Sequence, residues 1–345
     1  MFEYELNGIL TNCKIICASG ASDWRSFCPE SDSVLLVDDN VNRIYENQFV
    51  NYDKIIIPSG ESHKNMDTVM AVTEQLLSGN YGRDALLVAV GGGVTTDIAG
   101  FIASIYKRGT RCGFVPTTLM AMADAAVGGK NGVNFGEMKN VLGLIRQPEF
   151  VFIDTNFLLT LPEDDYYSAF SEIIKTGLID DTTILDEVEA SFGAVHSRDK
   201  GQLEKLIGKC AASKVAIVSH DEQDRGARNI LNFGHTTAHA FELRYAMTHG
   251  KAVAAGLLTE LKLSEMVFGT APDIFIRTGR LLKNLGLYPA FQPDYSELSA
   301  IIANDKKNTA GNSAGIILLK DYSQPIIHKF DLNELIQKLN SIRFL

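Results

Sequence analysis

The sequence predicts two domains of different class: an α/β domain over residues 1–160 built on a parallel sheet, then a mainly α-helical domain over residues 161–345. Three observations carry this. Short apolar runs alternate with helical periodicity as far as residue 160. Beyond Leu161-Pro162 the strand pattern mostly stops and helical periodicity takes over. The chain has 345 residues, 46% of them hydrophobic and 21% charged, which is room for two ordinary globular cores.

Taken in order, Val34-Leu35-Leu36-Val37 reads as a buried strand that runs into Asp38-Asp39-Asn40. Lys54-Ile55-Ile56-Ile57 is a second, stopped by Pro58-Ser59-Gly60, and a helical run from Asn65 to Leu77 follows. Leu86-Leu87-Val88-Ala89-Val90 is a third and enters Gly91-Gly92-Gly93; Gly113-Phe114-Val115 and Phe150-Val151-Phe152-Ile153-Asp154 are later strands. Strands this apolar, separated by helices, imply a Rossmann-like parallel sheet covered on both faces. Helices are then expected over Asp164–Leu178, Lys200–Ser219, Gly234–Met247, Ala252–Phe268 and Ile274–Leu285. Ile316–Leu319 and Pro325–Ile327 suit a small hairpin. Asp331, with Glu334 three residues on, has capping-box spacing for a tail helix. No internal repeat or low-complexity segment interrupts this pattern.

With 32 Lys and Arg against 42 Asp and Glu, the net charge is -10, which argues against a nucleic-acid partner. An anionic small-molecule substrate remains open, given a local cluster of cations. The five cysteines are scattered with no Cys-x-x-Cys pair, which disfavours a thiolate metal site and suits a reducing cytoplasm. The acidic start Met1-Phe2-Glu3-Tyr4-Glu5 lacks the order of a signal peptide, and no apolar run approaches a membrane span.

Gly91-Gly92-Gly93-Val94-Thr95-Thr96-Asp97 joins a buried strand to a helix. Glycines there let backbone N–H groups approach a pyrophosphate at a helix N-terminus, although a plain tight turn would read the same way. This is not the Gly-x-Gly-x-x-Gly pattern. Other polar groups follow strands on the same side of the sheet: Asp38 and Asn40, Glu61 and Lys64, Thr117 and Thr118. Strand carboxyl ends are where open α/β sheets bind ligands, so a nucleotide site is expected there.

Asp124-Ala125-Ala126-Val127-Gly128-Gly129-Lys130, followed by Lys139-Asn140, reads as a loop fitted around an anion or polyol, or else as a flexible surface loop. Glu172 and Lys175 share a helix face; the alternative there is a surface ion pair worth less than about 1 kcal/mol. Three of the seven histidines, His235, His239 and His249, fall within one fifteen-residue stretch. His235 and His239 share a helix face, which alone would suit a surface or core pair equally well. On one straight helix His235 and His249 would stand roughly 21 Å apart, so a shared metal needs a turn at Ala246-Met247-Thr248. Zinc usually takes three protein ligands at a catalytic site, and Glu172 is the expected third. Lys130, Lys175, Lys214, Arg228 and Asn232 would then grip a polyhydroxylated acid carrying a phosphate, with Asp305-Lys306-Lys307 a late basic pair.

With these motifs in place, the chain resembles the 3-dehydroquinate synthases, from Asp38 to Lys306 in order. The resemblance rests on Gly91-Gly92-Gly93 with Asp97, Pro116-Thr117-Thr118-Leu119 with Asp124, Val127-Gly128-Gly129-Lys130, Lys139-Asn140, Glu172-x-x-Lys175, and Leu231-Asn232-Phe233-Gly234-His235 with His239 and His249-Gly250. It implies a dehydroquinate synthase-like fold and a redox-neutral lyase using NAD and zinc or cobalt. Its substrate would be 3-deoxy-D-arabino-heptulosonate 7-phosphate and its products 3-dehydroquinate and phosphate. The implied course is transient oxidation at C5, β-elimination, re-reduction, ring opening and aldol closure.

By resemblance, Glu172, His235 and His249 are the metal ligands. Lys130, Asn140, Lys175, Lys214, Arg228 and Asn232 bind substrate, His239 serves the acid–base network, and Lys306 closes over the site. Arg108 would reach a neighbouring subunit, implying a homodimer. Asp38, Asn40, Glu61, Lys64, Gly92, Gly93, Val94, Asp97, Thr117, Thr118, Asp124, Lys130, Lys139 and Thr160 would line the NAD site. The chain departs from the family pattern at three places. Lys251 replaces a Glu after His-Gly, Ala125-Ala126 replace serines, and Thr96 replaces a Gly. The expected consequences are an altered environment of the metal ligands, lost hydroxyls near the pocket and a reshaped glycine turn.

Overall fold

Seven strands form one sheet in the first half of the chain. The computed structural model describes residues 2–17, 23–136, 138–303 and 313–344. Strand β1 (Phe2–Asn7) pairs antiparallel with β2 (Asn12–Cys17). Then come β3 (Ser33–Asp38), α1 (Asp39–Tyr45), β4 (Asp53–Ile57), α2 (Met66–Ser78), β5 (Leu86–Gly91), α3 (Gly93–Ile105) and β6 (Arg111–Pro116). An antiparallel hairpin, β7 (Lys130–Phe135) and β8 (Met138–Ile145), precedes β9 (Phe150–Ile153). The sheet order is β1-β2-β9-β6-β5-β3-β4, and every pairing except β1–β2 is parallel.

The burial patterns explain the order. β5 and β9 are buried at every residue and sit inside the sheet, as apolar runs covered on both faces must. β1 and β4 mix exposed residues with less exposed ones and take the two edges, where one face meets solvent. The parallel strands put Asp38, Gly91 and Pro116 at one common edge, followed by Ser59 and Thr117 in the connections.

The remaining elements are α4 (Glu163–Ser168), α5 (Phe170–Ile179), α6 (Thr183–Ala190), α7 (Phe192–His196), α8 (Lys200–His220), α9 (His235–Tyr245), α10 (His249–Phe268), α11 (Pro272–Asn284) and α12 (Tyr295–Ala303). The hairpin β10 (Ser313–Leu319) and β11 (Pro325–Asp331) and a last helix α13 (Leu332–Ser341) complete the chain. Asp331 caps α13 by accepting from Asn333 N and Glu334 N, as its spacing predicts.

Two compact units result: Met1–Pro162 with Arg198–Asp224, and Glu163–Ser197 with Arg225–Leu345. A single break at residue 160 therefore places α8 wrongly; this helix belongs with the first unit. The reason is its apolar face of Leu203, Leu206, Ile207, Cys210 and Ala211, which covers the β1–β2 ribbon. Gly208 lets Phe2 come so close that a Cβ would sit 2.8 Å from its ring.

Three other expectations change. The segment read as a loop around Lys130, Lys139 and Asn140 is the β7–β8 hairpin, docked on α3 where a Cβ at Gly100 would fall 1.9 Å from Asn131 Oδ1. The helix expected over Asp164–Leu178 is broken between α4 and α5 around Ala169. Strands β1 and β2 were not expected, because Glu3, Glu5 and Lys14 interrupt their apolar residues. Among the described residues, no helix is long and apolar enough to cross a membrane.

Candidate active site

Within the second unit, three helices converge on one carboxylate. Helix α5 is buried along its whole length and carries Glu172, 1% exposed, and Lys175, 2% exposed. Helix α9 opens at His235. It ends at Ala246, whose φ of 50° turns the chain, and α10 then starts at His249. The predicted turn therefore lies where the histidine spacing requires it. The start of α10 fits against α4 because Gly250 has no side chain; a Cβ there would lie 2.2 Å from Ser168 O.

His235 Nε2 lies 3.3 Å from Glu172 Oε1, and His249 Nε2 lies 3.2 Å from the same atom. One ligand atom from each of the three residues lies within 4.8 Å of the others. The opposite ring nitrogens are held elsewhere. His235 Nδ1 donates to Phe233 O at 3.2 Å, and His249 Nδ1 donates to Glu242 Oε1 at 2.7 Å. Both Nε2 atoms are thereby presented to a cation, the arrangement that metal-ligating histidines take. A carboxylate and two such imidazoles are a donor set that fits zinc or cobalt with an open coordination position.

The buried charges of the trio offset one another. Burial would raise the Glu172 carboxyl, but Lys175 and the His235 imidazole hold it well below the usual carboxylate range. Burial lowers His235 to about 4, with Glu172 pulling the other way. Burial also disfavours charge on His249, yet its hydrogen bonds to Glu172 and Glu242 outweigh that and raise it. Lys175 Nζ pairs with Glu172 Oε2, and the pair is buried rather than a surface ion pair. His239 stands edge-on to His235 with ring centroids 5.8 Å apart, outside the three-residue donor set. Arg228, 1% exposed, and Asn232, whose Nδ2 donates to Asn229 O at 3.1 Å, lie on the 3-10 turn before α9.

In the first unit the strand-end residues make a second polar cluster. Asp38 Oδ1 accepts from Asn40 N at 3.0 Å and from Ser59 Oγ at 2.8 Å, so it caps α1 and ties two strand ends together. Arg43 donates to Asn40. Lys64 Nζ pairs with Asp97 and donates to Asn140 Oδ1 at 2.6 Å. Glu61 Oε1 accepts from Asn134 Nδ2 at 2.8 Å, and Asn134 Oδ1 accepts from Asn140 N at 2.8 Å. Lys214 Nζ donates to both Asp124 O and Asp124 Oδ1 at 2.7 Å. Lys130 pairs with Asp224, Thr160 Oγ1 meets Tyr45 OH at 2.7 Å, and Lys139 is exposed on β8. Val94 opens α3 beside Gly93, and Gly92 makes room for Thr118, whose Cγ2 would lie 3.0 Å from a Cβ there. Thr117 N donates to Gly91 O at 2.9 Å, extending the β5–β6 pairing past Pro116.

Arg108 is exposed in a turn where Lys107, Arg108 and Gly109 all have positive φ. Lys306 lies outside the described residues. All three departures lie among the described residues. Thr96 turns its hydroxyl onto Gly93 O at 3.0 Å, Ala125 packs 3.4 Å from where a Gly93 Cβ would be, and Lys251 is exposed on the first turn of α10. Sequence reading missed Glu242, Asp224, Asn134 and Ser59. Glu242 was within reach of pattern reasoning, since His235, His239 and Glu242 follow i, i+4, i+7 on one helix face.

A family model described as 3-dehydroquinate synthase N-terminal matches residues 54–168, and one described as 3-dehydroquinate synthase C-terminal matches residues 169–308. The chain belongs to the 3-dehydroquinate synthase family. Among relatives, the 3-dehydroquinate synthase of Clostridium tetani is 37% identical over 313 residues, 88% of this chain and 83% of that protein. The 3-dehydroquinate synthase of Pyrococcus furiosus is 44% identical over 218 residues, 62% of this chain and 63% of that protein. Among solved structures, a 2-deoxy-scyllo-inosose synthase complexed with carbaglucose-6-phosphate, NAD+ and Co2+ superposes with a TM-score of 0.86 at 22% identity. It covers 98% of this chain and 99% of that chain, and it supports the fold.

Proposed function

We propose that this protein is a 3-dehydroquinate synthase, converting 3-deoxy-D-arabino-heptulosonate 7-phosphate to 3-dehydroquinate and phosphate with NAD and a divalent metal. The observation that carries this is the Glu172–His235–His249 donor set, in a chain that both family models match end to end from residue 54 to 308. When bound, NAD supplies reversible hydride acceptance and the metal supplies Lewis-acid stabilisation of oxygens that gain negative charge.

The protein's own residues do the rest. Glu172, His235 and His249 hold the cation, while Glu242 and Phe233 O keep the two imidazoles turned towards it. Lys175, held inside α5, Arg228 and Asn232 bind the anionic and hydroxyl groups of the substrate, and His239 moves a proton beside them. Lys130, Asn140 and Lys214 also serve the substrate. Asp38, Asn40, Glu61, Lys64, Gly92, Gly93, Val94, Asp97, Thr117, Thr118, Asp124, Lys139 and Thr160 serve the nucleotide. Arg108 reaches the phosphate of a second subunit in a homodimer, and Lys306 closes over the substrate.

Purified protein with NAD, zinc and the heptulosonate phosphate should release phosphate and form dehydroquinate together. Turnover of sedoheptulose 7-phosphate in its place would assign a different cyclase. Nucleotide binding without turnover of either sugar would make the chain a silent relative.

A further inference from the structure

We propose that Glu260 is a positioning residue for the metal centre: its carboxylate seats the first turn of α9 and thereby fixes where His235 stands. This rests on the reading that Glu172, His235 and His249 hold a divalent cation.

Helix α9 starts without the usual help. Its first N–H groups have no intrahelical partner, and a Ser, Thr, Asp or Asn side chain commonly satisfies one of them. Here the cap position is Gly234, at φ 84°, with no side chain to offer. Glu260 supplies the acceptor from α10 instead. Its Oε2 accepts from Gly234 N at 2.6 Å, and its Oε1 accepts from Thr237 N at 3.5 Å and from Thr237 Oγ1 at 3.4 Å. His235 lies between those two anchored residues.

The side chain is 0% exposed and is the one charged group among the buried residues of α10, which are otherwise Gly, Ala, Val, Leu, Thr and Ser. A buried carboxylate is costly unless donors and positive potential meet it, and the N-terminus of α9 provides both. An aliphatic residue would fill the same space without that cost; what it lacks is the ability to hold two backbone positions at once.

The seat is tight from the other side too. One turn earlier on α10, Gly256 lets Gly234 approach so closely that a Cβ would fall 2.0 Å from Gly234 O. Helix α10 thus begins with the ligand His249 and, through Gly256 and Glu260, holds the helix that carries His235.

The test compares zinc affinity, measured by competition with a chromophoric chelator, and the visible spectrum of the cobalt-loaded protein. The chains are wild type, Glu260→Gln, Gly256→Ala and His235→Ala. Glu260→Gln keeps the shape but turns an acceptor into a donor against Gly234 or Thr237. Its zinc Kd should rise about tenfold or more, the scale seen when a group supporting a metal ligand is lost, and its cobalt band should shift. Gly256→Ala, which displaces the same seat and leaves the carboxylate in place, should do likewise. A folded Glu260→Gln chain with wild-type Kd and spectrum overturns the proposal and leaves the metal reading standing. Wild-type affinity in folded Gly256→Ala overturns it too. A Glu260→Gln chain that does not fold also overturns it, because the carboxylate would then serve the fold as a whole. Undiminished metal binding by His235→Ala removes the metal reading itself.

Discussion

His249 hydrogen-bonds a carboxylate on each side of its ring, Glu172 at one nitrogen and Glu242 at the other. In the proposed metal site the two partners would have different tasks, one as fellow ligand and one as orienter, and substitution separates them. Glu242→Gln should weaken zinc binding about 10- to 100-fold while the chain stays folded; an affinity within twofold of wild type would remove Glu242 from that role. Lys175 tests the buried charge balance. Losing one partner of a buried ion pair costs about 3–5 kcal/mol, so Lys175→Met should lower the melting temperature of metal-free protein sharply. Zinc, a replacement cation beside Glu172, should restore part of the loss in calorimetry. The same substitution should depress turnover and leave NAD affinity near normal, because the proposed nucleotide residues all belong to the other unit. The donor trio Glu172, His235 and His249 came from the family resemblance, since helical spacing alone pairs His235 with His239 and leaves Glu172 unassigned. Asp224 and Asn134 were not legible, because their roles come from pairing with Lys130 and Glu61 across many residues of chain.

Among elements, the legible ones were those whose burial is uniform. β3 and β5 are continuous apolar runs, and such runs can only be covered strands or covered helices; their length and flanking turns decide for strands. The β7–β8 hairpin hid because Lys130, Asn131, Gly132 and Asn134 give neither alternation nor a run. Its place is set by α3, where Gly100 leaves no space over Asn131. Gly100→Ala therefore sets two effects against each other. Helix propensity favours alanine by about 1 kcal/mol, while forcing a methyl into a filled contact costs about 1–3 kcal/mol. With the new Cβ at 1.9 Å from Asn131 Oδ1, overpacking should win, and urea titration should show a lower midpoint. An unchanged or higher midpoint would mean the hairpin yields easily.

At the scale of the whole molecule, chain order and spatial grouping part company at α8. No periodicity could have assigned that helix, since its apolar face fits any apolar partner; the β1–β2 ribbon claims it. A fragment of residues 1–162 should accordingly lack a cooperative thermal transition, and a sharp melt by circular dichroism would contradict this. Removing metal with a chelator should abolish turnover, and zinc should restore it. Zinc at a hundredfold over its Kd should stabilise the folded chain by about 2.7 kcal/mol, read as a higher melting temperature. The reversal at Ala246 also shapes how the unit assembles. It joins two of the three ligands through a very short connector, so little chain entropy opposes their meeting once that pair of helices exists. The remaining ligand arrives from a distant stretch of chain. A cobalt ion added during refolding should thus show an early two-nitrogen spectrum that matures only when α5 docks, making the colour of the ion a clock for the assembly of this unit.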